Sequence, residues 1–382
     1  MALPEPDADA SASSSRLLDH IAKEIEQAGG WIAFDRYMAL ALYTPGLGYY
    51  SGGARKFGAA GDFITAPELS PLFAQCLAAQ VAQIMAASAP RISEAGAGSG
   101  ILAAELLAEL ERLGALPERY EILELSGELR ARQRETIQAR VPQLAARVAW
   151  LDTLPETFSG ALVANELLDA LPVRLVAWRE GGLFERGVRL AEGGRFEWEE
   201  RPAEGVLLAM SRGLTFGSPP YVSEIGLTAR AWVAEWGRIL KRGAMLLIDY
   251  GFPQREYYHP QRAEGTLMCH YRHHAHSDPL WLPGLNDITA HVDFTAMAEA
   301  GYEAGLDVLG YTSQGQFLLN CGLASLLEAR QSGDAAYAAL ASGAQKLISP
   351  AEMGELFKVL ALGKGIDEPL LGFARGDRSH AL

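Results

Sequence analysis

From Pro90 onward, short apolar runs alternate with amphipathic helical patterns, and this alternation constrains the fold more than any other feature of the chain. RISEA reads as a strand, and the tight turn GAGSG follows it. ILAAELLAELERLG puts Leu102, Leu106, Leu110 and Leu113 on one helical face and stops at Gly114. YEILELS is a strand, ELRARQRETIQARV a helix, and RVAWLD and GALVANE are further strands. A helix at about Ala229 to Leu240 leads into the strand GAMLLIDYGF. Strand alternating with helix predicts a parallel sheet with helices on both faces.

These five strands end on Glu94, Glu124, Asp152, the pair Asn165-Glu166, and Asp249. In open α/β sheets the ligand crevice lies outside the carboxyl ends of the strands. Turn chemistry alone places acidic residues at strand ends, but five in register go beyond it. Gly96, Gly98 and Gly100 form G-x-G-x-G, and Ile101 stands where the dinucleotide fingerprint wants its third glycine. Glu94, two residues before Gly96, would repel a pyrophosphate on the following helix. It suits a cation instead. S-adenosylmethionine (SAM) has no phosphate and carries an ammonium and a sulfonium. Glu124 is placed to accept its two ribose hydroxyls, and Asp152 to face the adenine amino group.

The rest of the chain has other textures. PVRLVAWREGGLFERGVRLAEGGRFEWEERP alternates apolar and polar residues around two Gly-Gly turns, which predicts an antiparallel hairpin lobe. Arg16 to about Leu42 reads as one or two helices, followed by a long glycine- and aromatic-rich loop. Ser70-Pro71 opens a helix, with serine as cap and proline in the first turn. SPAEMGELFKVLALGKG, with Ser349 and Glu352 spaced as a capping box, reads as a helix that would leave Lys358 and Lys364 on a solvated face. The first fifteen residues lack an apolar core and any basic residue before Arg16, and read as a disordered tail rather than a signal or transit peptide. The domain boundaries expected are a tail at 1–15, a helical segment and loop at 16–89, a core at 90–322 with a hairpin insertion at about 172–220, and C-terminal helices at 323–382.

A net charge of -14 argues against a nucleic-acid binder. No apolar run is long enough to cross a membrane. Three dispersed cysteines support neither a disulfide framework nor a zinc ribbon, and point to a reducing, cytoplasmic setting. His270, His273, His274 and His276 lack companion ligands at a metal spacing, so no metal is expected and the cluster reads as a polar loop. His291 reads as structural, and Trp232 and Trp236 as core.

The segments GDFITAPELSPLF (61–73), EAGAGSG (94–100), YEILELS (120–126), ANELLDALPV (164–173), LLIDYGF (246–252), GTLMCHYRH (265–273) and NDITAHVDF (286–294) carry a resemblance. On them the chain resembles the MidA-like family of class I SAM-dependent methyltransferases. Mitochondrial members of that family are assembly factors for respiratory complex I and are understood as protein arginine methyltransferases. The resemblance implies a Rossmann-like, seven-stranded, mostly parallel sheet, with GLDVLGYTSQGQFLLNCG supplying the last two strands and the final one antiparallel. It also implies that the GDFIT loop covers the methionine end of SAM, with Asp62 and Thr65 as its polar groups.

Methyl transfer from a sulfonium is an in-line displacement that needs alignment and exclusion of water. An arginine acceptor holds its proton far above neutral pH, so carboxylates must orient it. Asn165, Glu166 and Asp169 lie beyond the fourth strand. On a helical turn Glu166 and Asp169 would share a face and clamp the acceptor, with Asp249-Tyr250 as the far wall. Helix capping by Asn165 or Glu166 is the alternative. The function expected is methylation of a protein side chain, with arginine on a respiratory-complex subunit as the leading acceptor. A non-catalytic SAM-binding scaffold and an NAD(P)-dependent oxidoreductase are the competing readings.

Overall fold

A computed structural model describes residues 3–52, 65–214, 217–330 and 335–382. The chain divides into two compact units. One comprises residues 64–168, 231–251 and 294–382; the other gathers residues 1–63, 169–230 and 252–293.

The first of these is built on a mixed sheet. Seven of the strands in this sheet are β1 (Arg91–Ala95), β2 (Arg119–Leu123), β3 (Val148–Leu151), β4 (Phe158–Asn165), β5 (Leu240–Phe252), β6 (Asp307–Ser313) and β7 (Phe357–Lys364). They lie in the order β6-β7-β5-β4-β1-β2-β3. β1 to β5 pair in parallel, and β7 runs antiparallel to both β5 and β6. The strand order reverses between β1 and β4, which makes their carboxyl ends a topological switch point.

Both faces of the sheet are covered. Ala244, Leu246 and Ile248 of β5 join a core cluster with Leu77, Val81, Leu106 and Leu110, from the helices Pro71–Ala87 and Ile101–Arg112. Met245 and Leu247 point the opposite way, as strand geometry requires, and are also fully buried. On β4, Phe158 meets the ring of Trp236 edge-on at 5.9 Å. Trp236, fully buried as expected, in turn meets Trp232 at 6.1 Å; Trp232 is only half-buried. The helix after Ser70 also forms as read: the serine side chain accepts from Leu72 N–H and Pro71 opens the first turn.

The C-terminal segment differs from expectation. FKVLALGK is strand β7, not helix, and every residue from Phe357 to Gly363 is buried. Its apolar run is short enough to be a strand sheathed on both sides, which periodicity alone does not separate from a buried helix. Lys358 is therefore buried, and its ammonium donates to the carbonyls of Glu355 and Leu356. Lys364 Nζ donates to Gly237 O at 3.1 Å. GLDVLGYTSQGQFLLNCG supplies only β6, and then turns into the helix Gln314–Asn320, capped by Ser313. Ser349 and Glu352 do not form the expected capping box: Glu352 precedes the four-residue helix Met353–Leu356 without a side-chain cap.

The other unit joins what the sequence reading kept apart. The strand Trp31–Ala33 pairs antiparallel with Gly182–Leu190, in register Ile32↔Val188, so the N-terminal segment and the hairpins form one sheet. Arg174–Arg179 lies between Gly182–Leu190 and Tyr221–Ile225, and Phe196–Pro202 adds to the hairpin. Leu17, Ile21, Ile25, Phe34 and Met38 bury against Leu175 and Val188. Residues 8–15, expected to be disordered, belong to the helix Ala8–Gln27. Asp7 caps it by accepting from Ala10 N–H at 2.8 Å, and buried Ser14 donates to Pro283 O at 2.9 Å. The histidine cluster forms a small hairpin, Met268–Tyr271 with His274–His276; His276 Nε2 bonds Asn286 Oδ1 at 3.0 Å.

Candidate functional site

The carboxyl ends of β1, β2 and β4 carry a set of fixed acidic groups. β1 ends Glu94-Ala95, and the chain then turns through Gly96, Gly98 and Gly100 at φ of 71°, 51° and 82°. These left-handed angles favour glycine. Close approach adds to the requirement. A Cβ on Gly96 would stand 2.9 Å from Leu167 Cδ1, and one on Gly100 would stand 2.9 Å from Gln133 Cα. Gly100 then opens the helix Ile101–Arg112.

Glu94 is buried, and its Oε2 accepts from the Tyr120 hydroxyl at 2.7 Å. Burial pushes its carboxyl up to about 7; the Tyr120 bond works against this and the charge of Glu124 adds to it. Glu124, just beyond β2, is 9% exposed. Its oxygens accept from Ser126 N–H at 2.9 Å and from Gln133 Nε2 at 3.1 Å. Burial again raises its carboxyl above the usual range. Gln133 ties the site together, since Nε2 also donates to Gly98 O at 3.1 Å and Oε1 accepts from Trp150 Nε1 at 2.8 Å. Asp152 is different: its side chain is 87% exposed and pairs with Arg130 at 2.6 Å. Arg130 also donates to Glu124 O and Leu151 O, which fixes the loops after β2 and β3.

Two buried carboxyls of raised pKa beside a glycine turn suit a cationic ligand, because a positive charge restores the ionised form. A diphosphate would meet the same groups with repulsion. The donor set therefore fits SAM. Glu124 would accept from the ribose, and the turn at Gly96–Gly100 would admit the ligand close to the backbone.

Beyond β4 the chain does not form the helical turn expected for Glu166 and Asp169. Residues 166–170 run as bends and turns, so the two carboxylates share no helix face. Glu166 takes φ 51°, an uncommon angle for a non-glycine residue. Its N–H donates to Ile248 O at 2.8 Å, which holds it there. Its Oε1 accepts from Asn165 Nδ2 at 3.1 Å and from Ala66 N–H at 3.2 Å. Glu166 starts no helix of its own segment; its carboxylate meets the first amide of the helix Ala66–Leu69, and Asn165 bonds the same oxygen.

Asp249 is fully buried in β5, so it cannot form an acceptor-facing wall. Its Oδ2 accepts from Leu168 N–H at 2.9 Å and its Oδ1 from Tyr250 N–H at 3.0 Å, making it a brace for the loop after β4. Asp169 belongs to the other unit, where its carbonyl accepts from Ala290 N–H at 3.0 Å. Burial first, and then the charges of Asp287 and Asp169, hold the Tyr50 phenol above its ordinary range, and its hydroxyl donates to Asp287 Oδ1 at 2.9 Å. Thr65 precedes the helix Ala66–Leu69, and its carbonyl accepts from Glu68 and Leu69 N–H. Asp62 lies outside the described residues. Gln133, Arg130 and Tyr120 were not anticipated. They act through hydrogen bonds to strand ends and turns of other elements, and no motif announces them.

Comparison with known proteins agrees with this geometry. Residues 74–312, more than half of the chain, match the family described as "Putative S-adenosyl-L-methionine-dependent methyltransferase". A Burkholderia thailandensis protein whose crystal structure holds S-adenosyl-homocysteine is 56% identical, with a TM-score of 0.96 and full coverage of both chains. Among curated relatives, the Danio rerio mitochondrial protein arginine methyltransferase NDUFAF7 is 29% identical, over 92% of this chain and 88% of its own. The Mus musculus protein of the same name is 29% identical, over 91% and 84%. These findings do not favour a nicotinamide oxidoreductase. The chain belongs to the S-adenosyl-L-methionine-dependent methyltransferase family.

Proposed function

We propose that this protein transfers a methyl group from SAM to a protein side chain, with an arginine guanidinium as the acceptor. One observation carries the reading: Glu166 is held in a left-handed conformation, with its carboxylate oriented by Asn165 and Ala66 beside the switch point of the sheet. The names of the curated relatives support the arginine acceptor.

SAM supplies an electrophilic methyl group on a positively charged sulfur. The Glu166 carboxylate would accept a guanidinium N–H, orient the attacking nitrogen, and take the proton that nitrogen loses as the new C–N bond forms and the methyl–sulfur bond breaks, with S-adenosyl-homocysteine as the leaving group. Asp249 holds the Leu168 amide, and so fixes the loop that carries Glu166. Asn165 keeps the carboxylate from rotating.

On the family resemblance, the acceptor to test first is a subunit of a respiratory complex. A cytoplasmic setting is part of the same proposal, supported by the three buried free thiols Cys76, Cys269 and Cys321. Incubation with labelled SAM and lysate, followed by mass spectrometry of the labelled proteins, tests it. Monomethyl or dimethyl arginine on a partner supports the reading. Label on another side chain replaces the acceptor. SAM binding without transfer to any protein returns the chain to the scaffold reading.

A further inference from the structure

Among the described residues, the carboxylate of Glu68 on the short helix Ala66–Leu69 is satisfied on one side only. Glu68 Oε1 accepts from Ser99 Oγ at 2.9 Å, inside the glycine turn. Glu68 Oε2 is buried and accepts no hydrogen bond among the described residues. Leaving a buried acceptor unmet costs free energy, and the cost is larger for a charged group. The position is fixed from several directions. Ala66 N–H donates to Glu166 at the end of β4, and Ser99 O accepts from Thr136 Oγ1 at 2.7 Å. The helix thus bridges the ends of β1 and β4, on the opposite side of β1 from Glu124. A ligand lying across the end of β1, with its ribose at Glu124, directs its far end toward Glu68.

We propose that Glu68 binds the cofactor, its Oε2 receiving the α-ammonium of the methionine moiety of SAM. An ammonium is a donor-only, fully charged group, and it forms a charge-assisted bond with a carboxylate oxygen. Ser99 keeps the other oxygen turned away, so the side chain presents one oxygen to the ligand. This assignment rests on the cofactor reading above and adds the group that selects the amino-acid end.

Calorimetric titration of the full chain with SAM, S-adenosyl-homocysteine and 5′-methylthioadenosine tests it. The last ligand keeps the adenosine and sulfur but lacks the ammonium. Glu68→Gln should weaken SAM and S-adenosyl-homocysteine by about tenfold or more, the scale of a hydrogen bond to a charged group, and leave 5′-methylthioadenosine unchanged. Unchanged 5′-methylthioadenosine affinity also shows that the variant is folded. Ser99→Ala, which keeps the charge but frees its anchor, should give a smaller loss of the same pattern. The assignment is overturned if Glu68→Gln weakens all three ligands alike, or none of them. It is also overturned if SAM alone is weakened, which would place the carboxylate at the sulfonium. Failure of the wild-type protein to bind any of the three would instead bring down the cofactor reading, and this assignment with it.

Discussion

The Tyr120 hydroxyl donates to Glu94 Oε2 at 2.7 Å within the buried end of β1, and it opposes the burial that holds this carboxyl at about 7. The sign of the consequence follows from proton counting. Between the ordinary value of 4.5 and about 7, the folded chain keeps a proton that the unfolded chain releases. The stability this gives is full below 4.5 and is lost as pH rises through about 7. Glu94→Gln should flatten that part of the stability profile, as read by denaturant midpoints at several pH values. SAM binding should release a proton near pH 6.5, roughly half a unit below the free value. Binding heats measured in buffers of different ionisation enthalpy will show it. Tyr120→Phe should raise the carboxyl further and weaken SAM more at pH 7 than at pH 8.5.

Glu166 separates chemistry from binding. Glu166→Gln should cut the methylation rate by about a hundredfold or more, the usual scale of a positioned proton acceptor, with SAM affinity unchanged by titration. Glu166→Gly relieves the left-handed backbone but removes the bonds accepted from Asn165 and Ala66. These effects are each roughly 1 kcal/mol and opposed, so the melting temperature should stay near that of the parent while activity is lost.

Gly100→Ala tests the turn. The alanine would sit at φ 82°, with its Cβ 2.9 Å from Gln133 Cα, a backbone atom that cannot swing aside. The conformation alone costs about 1–2 kcal/mol. Displacing Gln133 should also loosen its bonds to Gly98 and Glu124. Loss of SAM binding at a temperature where the variant is still folded, checked by circular dichroism and titration, is the expected result.

Asp249 acts on structure before it acts on rate. Asp249→Ala leaves the amides of Leu168 and Tyr250 without their acceptor, a loss of about 1–3 kcal/mol for each buried group left unpaired. Asp249→Asn retains one acceptor oxygen and should recover part of that stability. Denaturant unfolding of the two variants checks the order.

The alternation of strands and helices after Pro90 made the α/β core readable, because each apolar run there is bounded by turn chemistry. The placement of Glu94, Glu124 and the three glycines at strand ends and in a turn was readable for the same reason: a strand end followed by a tight turn is a local pattern. β7 was not. Phe357 to Lys364 is apolar on both faces, so neither period stands out, and Ser349 with Glu352 suggested a helix the chain does not make. The bracing role of Asp249 was hidden as well, since Leu168 lies 81 residues away in sequence. The pairing of Trp31–Ala33 with Gly182–Leu190 is likewise a long-range event, which put the N-terminal segment and the hairpins in one sheet rather than two regions.

Strand β7 is inserted between β5 and β6 although it follows both in the chain. On a ribosome, β5 must therefore wait with an unpaired edge until Lys364 has emerged, and β6 has no sheet to join before then. A nascent chain stalled short of Phe357 would expose a ready template for pairing with another copy, so the emergence of β7 is also the step that protects the sheet from self-association.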